Sequence, residues 1–213
     1  MKIEYLGHSC FKLINEKGIS VLTDPYTRVG YELPHGLRAD IVTVSHGHFD
    51  HNYVSAVENA AKILKTTEKV VYDGVTIEGI ATWHDDKQGA LRGENIIYKI
   101  HMDGLTVCHL GDLGEACRED LVAKIGAVDV LLLPIGGTYT INAVQAAEYV
   151  RKIQPKIAVP MHYLPQDGTL DIDGATPFLR EFSQVAYANP KNVLTVSSQM
   201  VQQDKTQILF MER

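Results

Sequence analysis

The chain has 213 residues, 45 % of them hydrophobic and 22 % charged, enough to fold as one globular domain over 1–213 with a substantial core. A net charge of −6 with scattered Lys and Arg lacks the footprint of a nucleic-acid binder, although a nuclease whose positive charge comes from metal stays open. The polar Met1-Lys2-Ile3-Glu4 start and the lack of an apolar run near the roughly 18 residues of a membrane span point to a cytoplasmic protein with no membrane partner; three cysteines without CxxC spacing argue against a disulfide framework.

Met1 to Leu6, Cys10 to Asn15 and Ile19 to Thr23 read as short strands of an antiparallel meander, turned at Gly7-His8-Ser9 and at Asn15-Glu16-Lys17-Gly18. His8 is either a structural imidazole at a strand edge or a contributor to a site. Asp24, fixed before Pro25, fits two roles equally: a turn cap, or an acceptor for the N–H of a metal-ligating imidazole. Tyr26 to Asp40 is a loop long enough to wall a pocket.

The apolar run Ile41 to Val44 reads as a buried strand, and Val54 to Ala61 as a helix. Between them lies His46-Gly47-His48-Phe49-Asp50-His51. On extended backbone, side chains two apart point the same way, so His46 and His48 reach one ion together, while the following turn re-aims Asp50 and His51 toward a second position. A lone buried His is common, but four ligand-type side chains directly after a hydrophobic strand call for metal.

Lys62 to Lys65, Val70 to Asp73 and Val75 to Ala81 are further strands, delivering Trp83-His84-Asp85-Asp86. His84 is the expected third ligand of the first ion, and Asp85 is placed in its surroundings. Arg92, in the glycine-bracketed run Gly89 to Asn95, suits a small anionic substrate or a surface salt bridge. Glu94 to His101 and Leu105 to Leu110 form a hairpin ending in His109-Leu110-Gly111-Asp112. Asp112 can turn one oxygen toward each of two cations, which an imidazole cannot do, and His109 reads as a support or pocket wall.

From here the period shifts toward 3.6, with helices at Glu119 to Ile125 and Asn142 to Ile153 and buried strands at Val128 to Leu133 and Ile157 to Pro160. The loop Pro134 to Thr140 is a candidate for substrate contacts. His162, again at a strand exit, completes a second site with Asp50, His51 and Asp112. The tail offers a helix near Thr176 to Ser183 and strands near Val193 to Val196 and Gln207 to Met211.

The HxHxDH pattern of His46, His48, Asp50 and His51, with His84, Gly111-Asp112 and His162 following in order, resembles the metallo-β-lactamase fold superfamily nearly end to end. The Gly7-His8-Ser9 turn, the His109 to Asp112 box, Leu133 to Gly137 and Pro160 to Tyr163 look like metal-dependent hydrolases related to ascorbate-6-phosphate lactonase. The resemblance implies an α/β fold, an αβ/βα sandwich of two mixed sheets with helices outside and a dinuclear site at one edge. It implies His46, His48 and His84 on one ion, Asp50, His51 and His162 on the other, and Asp112 between them. The run from Trp83 to Asn95 departs from the lactonase's own segment, so the resemblance carries the metal chemistry and leaves the substrate open.

The reading is a dinuclear hydrolase in which a hydroxide held between the ions cleaves a phosphodiester, a lactone or another ester or amide, with Asp50 accepting a proton. The His-rich donor set points to two zinc ions first, with manganese or iron as alternatives. Competing readings are a di-iron redox enzyme, against which His48 argues because such relatives carry Glu there, and a non-catalytic module braced by metal. Nothing in the sequence sets an oligomeric state.

Overall fold

The structure is a computed structural model and describes residues 1–197 and 199–213. Its first sheet contains β1 (Lys2–Gly7), β2 (Cys10–Ile14), β3 (Ser20–Thr23), β4 (Ile41–Thr43), β5 (Lys62–Leu64) and β13 (Val193–Thr195), in the order β13-β1-β2-β3-β4-β5. β13 through β3 pair antiparallel, whereas β3, β4 and β5 run parallel. The second sheet contains β6 (Val70–Tyr72), β7 (Val75–Trp83), β8 (Glu94–Met102), β9 (Leu105–His109), β10 (Val130–Pro134), β11 (Ile157–Met161), β12 (Ala186–Tyr187) and β14 (Gln207–Phe210), ordered β12-β14-β11-β10-β9-β8-β7-β6. Its β6 to β9 half is antiparallel and the rest parallel.

Alternation along the first sheet decides how it is buried, because neighbouring side chains face opposite ways. Ile3, Tyr5, Phe11, Leu13, Val21 and Ile41 join the large core that also holds Val75, Ile77, Ile97 and Ile100 of the second sheet, so the two sheets share one interior. Cys10, Leu22, Val42 and Val44 belong to a separate apolar cluster with Tyr26, Val29, Leu37 and Ala39. The loop after β3 therefore closes the other face of this sheet. In the second sheet β10 and β11 are buried at every position, as expected of parallel strands covered on both sides. Helices α1 (Glu119–Ile125), α2 (Ala143–Ile153) and α3 (Thr176–Leu179) supply Leu121, Ile125, Ala146, Tyr149, Val150 and Phe178 to the large core. Asn142 caps α2 through a capping box with Gln145.

Two expected helices differ from the outcome. Residues Val54–Ala56 make one 3-10 turn and the chain is otherwise irregular to β5. The N–H groups of Glu58 and Ala61, which a helix would bond four residues back, donate to the carbonyls of Leu37 and Asp40. Tertiary pairing wins over local propensity there. The helix expected to Ser183 stops at Leu179, and the N–H groups of Glu181 and Phe182 bond three residues back, tightening the end of the turn.

β1 and β4 run in the same direction within one sheet, and β7, β9 and β11 in one direction within the other. Their C-terminal ends thus gather five loops along one edge of the sandwich, carrying His8, the segment His46 to His51, His84, Asp112 and His162.

Candidate metal centre

Two of the imidazoles, His46 and His51, are aimed by a hydrogen bond at the far side of the ring. Ser45 Oγ–H donates to Asp24 Oδ2 at 2.5 Å, and His46 Nδ1 lies 2.9 Å from Ser45 Oγ. The hydroxyl proton is already committed, so His46 donates from Nδ1 and keeps a lone pair on Nε2. His51 Nδ1–H donates to the same Asp24 Oδ2 at 2.8 Å, leaving its Nε2 turned inward. The Ser45 N–H donates to Asp24 Oδ1 at 2.8 Å, so three hydrogen bonds hold this fully buried carboxylate. Asp24 acts here as the acceptor behind two imidazoles.

Asp112 stands at the centre. Its Oδ2 is 3.1 Å from His51 Nε2, 3.2 Å from His162 Nε2, 3.4 Å from His84 Nε2 and 3.8 Å from His46 Nε2. Two donors bound to one zinc at about 2.0–2.1 Å in a tetrahedron are about 3.4 Å apart, which is the spacing found here. The carboxylate is fixed by its own N–H, donated to Asn95 Oδ1, while Asn95 Nδ2–H donates to Thr82 Oγ1 and to the carbonyl of Leu110. Gly111 makes this approach possible: its φ is +56°, and a Cβ there would lie 2.3 Å from Asn95 Oδ1 and 2.6 Å from Ser45 Cβ.

Apart from Asp24 with His46 and His51, already joined through the Asp24 carboxylate, the donors fall into two groups. His46, His48 and His84 offer one ligand atom each within 4.8 Å of one another, as do His8, Asp50, His51 and His162. His48 is the exposed member of the first, its ring 4.6 Å from that of His46 and 5.0 Å from that of His84. Among the described residues, His46 Nε2, Asp112 Oδ1, His84 Nδ1 and both ring nitrogens of His162 are buried without a hydrogen-bond partner. Buried polar atoms rarely go unpaired, and a knot of them made of nitrogen and carboxylate donors fits bound cations.

Electrostatics agree. Burial and the neighbouring His51 bring His46 down to about 2, and burial also lowers His84. Burial works against charge on His51 as well, but Asp112 and Asp24 outweigh it and raise that imidazole. Burial raises Asp112, and His162 and His51 more than reverse the effect, holding it well below the usual carboxylate range. Asp112 thus rests as a carboxylate beside the imidazoles of His46 and His84, whose burial favours the neutral form, a combination suited to cations.

His109 is not among the donors. Its Nε2–H donates to the Ser9 carbonyl at 2.8 Å and its Nδ1 accepts from the Gly111 N–H at 3.1 Å, tying the β1–β2 turn to the Asp112 turn. Asp85 faces its own loop. Its oxygens accept the N–H groups of Lys87, Gly89, Leu91 and Arg92 at 2.7–2.9 Å. Burial pushes its carboxyl up, but these four donors prevail and bring it down to about 2. The loop so ordered carries Arg92, which donates from Nη2 to the Thr138 carbonyl at 3.2 Å and lies 5.6 Å over the Tyr139 ring. Arg92 also lines a cleft of about 500 Å³ with His46, His48, Asn52, Lys65 and Glu94.

Ser45, Asn95, Asn52 and Lys65 are site residues the sequence reading passed over. Ser45 is legible in hindsight as the hydroxyl next to His46. Asn95 carries no local signal, because its place follows from the pairing of β7 with β8.

The fold and donor set define a class, and a β-lactamase superfamily domain matches residues 2–162. The chain belongs to that superfamily. Within it, the chain falls among the UPF0173 metal-dependent hydrolases: it is 33 % identical over 208 residues to Ta0764 of Thermoplasma acidophilum, covering 83 % of this chain and 88 % of the relative. It is also 33 % identical over 195 residues to the UPF0173 metal-dependent hydrolase of Archaeoglobus fulgidus, covering 76 % and 83 %. Among solved structures, a candidate Zn-dependent hydrolase of the metallo-β-lactamase superfamily from Thermotoga maritima superposes with a TM-score of 0.80 at 32 % identity, covering 99 % of this chain and 97 % of that one.

Proposed function

We propose that the protein is a dinuclear metal-dependent hydrolase, with zinc as the first expectation and manganese or iron as alternatives, cleaving a phosphodiester, lactone or other ester or amide of a small anionic molecule in the cytoplasm. The observation that carries this reading is Asp112, whose Oδ2 lies within 3.8 Å of imidazoles from both donor groups. His46, His48 and His84 would hold one ion, Asp50, His51 and His162 the other, and Asp112 both. Bound there, the pair would acidify a shared water and polarise the scissile group.

The protein's own groups divide the remaining work. Asp112 has a side chain only 2 % exposed and serves as a fixed charge, whereas that of Asp50, at 13 %, keeps a route to solvent. Burial raises Asp50, and the contacts with His8 and His51 outweigh it, so it rests as a carboxylate able to receive the proton of the attacking water. Asp24 and Ser45 hold His46 and His51 in the tautomers that donate inward. Arg92 and Lys65 bring positive charge to the cleft beside His46 and His48, which suits an anionic substrate.

Elemental analysis of protein purified without chelator, followed by a panel of phosphodiesters, lactones and simple esters with added zinc or manganese, tests the proposal. About two equivalents of metal and hydrolysis abolished by chelator are expected. Metal near zero with no uptake, or hydrolysis that survives chelator, overturns it.

A further inference from the structure

His8 stands outside the donor set assigned above, yet it sits inside the second group. Its side chain is 1 % exposed, its Nε2 is 3.2 Å from both Asp50 Oδ2 and His51 Nε2, and its ring centre is 4.3 Å from that of His162. Because Asp24 takes the Nδ1–H of His51, it is Nε2, facing His8 Nε2, that would give up its proton to offer a lone pair. Two imidazole nitrogens at 3.2 Å need either a proton or a cation between them. The separations within this group, 3.2, 3.2 and 3.6 Å for the His8–Asp50, His8–His51 and His51–Asp50 pairs, lie close to the roughly 3.4 Å of donors sharing one zinc.

The backbone holds the ring there at a cost. His8 has φ +54°, a left-handed conformation that disfavours a side chain. Its carbonyl accepts the N–H of His162 at 2.9 Å and the hydroxyl of Tyr5 at 3.0 Å, which locks the β1–β2 turn to the exit of β11. These two bonds fix the position of the His8 ring against His162.

We propose that His8 is a further protein ligand of the ion held by Asp50, His51 and His162. The inference rests on the dinuclear reading and adds an asymmetry to it. The second ion then has five protein donors, Asp112 included, against four for the first. His46 and His48, of the set with fewer donors, line the cleft with Arg92 and Lys65, so an anionic substrate in that cleft would lie beside the first set.

Cobalt(II) titration of metal-free protein, followed by visible absorption and calorimetry, tests this without turnover. Wild type takes up two equivalents. His8→Asn tolerates the positive φ but is too short to reach, and it should keep the first equivalent and weaken the second by more than about a hundredfold, beyond what loss of a supporting hydrogen bond produces. His8→Gln can still reach Asp50 and should not restore the second equivalent; restoration would make His8 a hydrogen-bond partner of Asp50 and overturn the proposal. Two equivalents with wild-type affinity and spectrum in His8→Asn would overturn it as well. A readout free of substitution is the scalar coupling between 113Cd and the His8 ring nitrogen in loaded wild type, which is expected and whose absence refutes ligation. Fewer than two equivalents in wild type would instead refute the dinuclear reading itself.

Discussion

Asp24 Oδ2 receives the His51 Nδ1–H at 2.8 Å and the Ser45 Oγ–H at 2.5 Å, so one buried oxygen sets the direction of two imidazoles. In Asp24→Asn, an amide NH2 set at this position would face both donors. His51 would then have to move or change tautomer, withdrawing its inward lone pair. Metal affinity should fall about ten- to a hundredfold, read by competition with a chelator of known affinity. The buried donors left without an acceptor should also cost about 1–3 kcal/mol in chemical denaturation of the metal-free protein.

Asp85 acts on its loop, and its removal separates loop order from metal binding. Hydrogen bonds to a charged acceptor are stronger than neutral ones, so Asp85→Ala should speed amide exchange at Lys87, Gly89, Leu91 and Arg92 by about tenfold or more. Hydrogen-exchange mass spectrometry over residues 86–93 checks it. Unchanged exchange would mean that the loop is held by other contacts, such as those of Arg92 with Thr138 and Tyr139.

The sequence made the strand-exit pattern legible because each ligand-type residue follows an apolar run whose period marks it as a strand. His46, His48, His84, Asp112 and His162 all occupy such exits, and the structure brings them together. What stayed hidden depends on register. Asn95 sits by Asp112 through the pairing of Thr82 with Asn95 across β7 and β8, and His8 sits by His162 through the bond from the His162 N–H to its carbonyl at the exit of β11. The missing helix after His51 has the same origin, since Leu37 and Asp40, distant in sequence, took its backbone N–H groups.

Gly114 is a close approach that no local pattern announces. A Cβ there would lie 2.4 Å from both the carbonyl carbon of His84 and the N of Asp85. Gly114→Ala must shift the backbone that presents His84. A stability loss of about 1–3 kcal/mol, the range of overpacking, is expected together with weaker binding at the first ion. Thermal unfolding with and without zinc reads both; full stability with wild-type metal affinity would show that the two turns part freely.

Cys10 and Cys108 are fully buried, and burial pushes both thiols up, Cys108 to about 12 against a slight lowering by Lys99. The unfolded thiol ionises near about pH 8.5. A thiol kept protonated in the folded state contributes stability that is complete below that value and is lost as the pH rises toward 12, because the unfolded chain then binds fewer protons. Each such group changes stability by about 1.4 kcal/mol per pH unit inside the window. Between pH 8.5 and 10.5 the metal-free wild type should therefore lose about 2 kcal/mol more than Cys108→Ala in urea denaturation. Equal losses would show that Cys108 is accessible to base in the folded state.

Arg92 is the residue on which the expected anionic substrate can be tested. Asp85 fixes its backbone N–H, one guanidinium N–H goes to Thr138, and the group sits over Tyr139, so the side chain is positioned before any substrate arrives. A pre-positioned guanidinium can grip a phosphate or carboxylate through two parallel hydrogen bonds, and losing a charge-assisted contact costs about 1.5–3 kcal/mol. Arg92→Ala should raise KM for an anionic substrate about ten- to a hundredfold while leaving metal content unchanged and a neutral ester little affected. Arg92→Lys keeps the charge and loses the fork, and should recover only part of the loss. The comparison of anionic and neutral substrates in all three proteins separates recognition from support of the loop. A loss shared equally by both substrates would make Arg92 a strut between the 85–93 loop and Thr138, and the anion would have to be read by Lys65 instead.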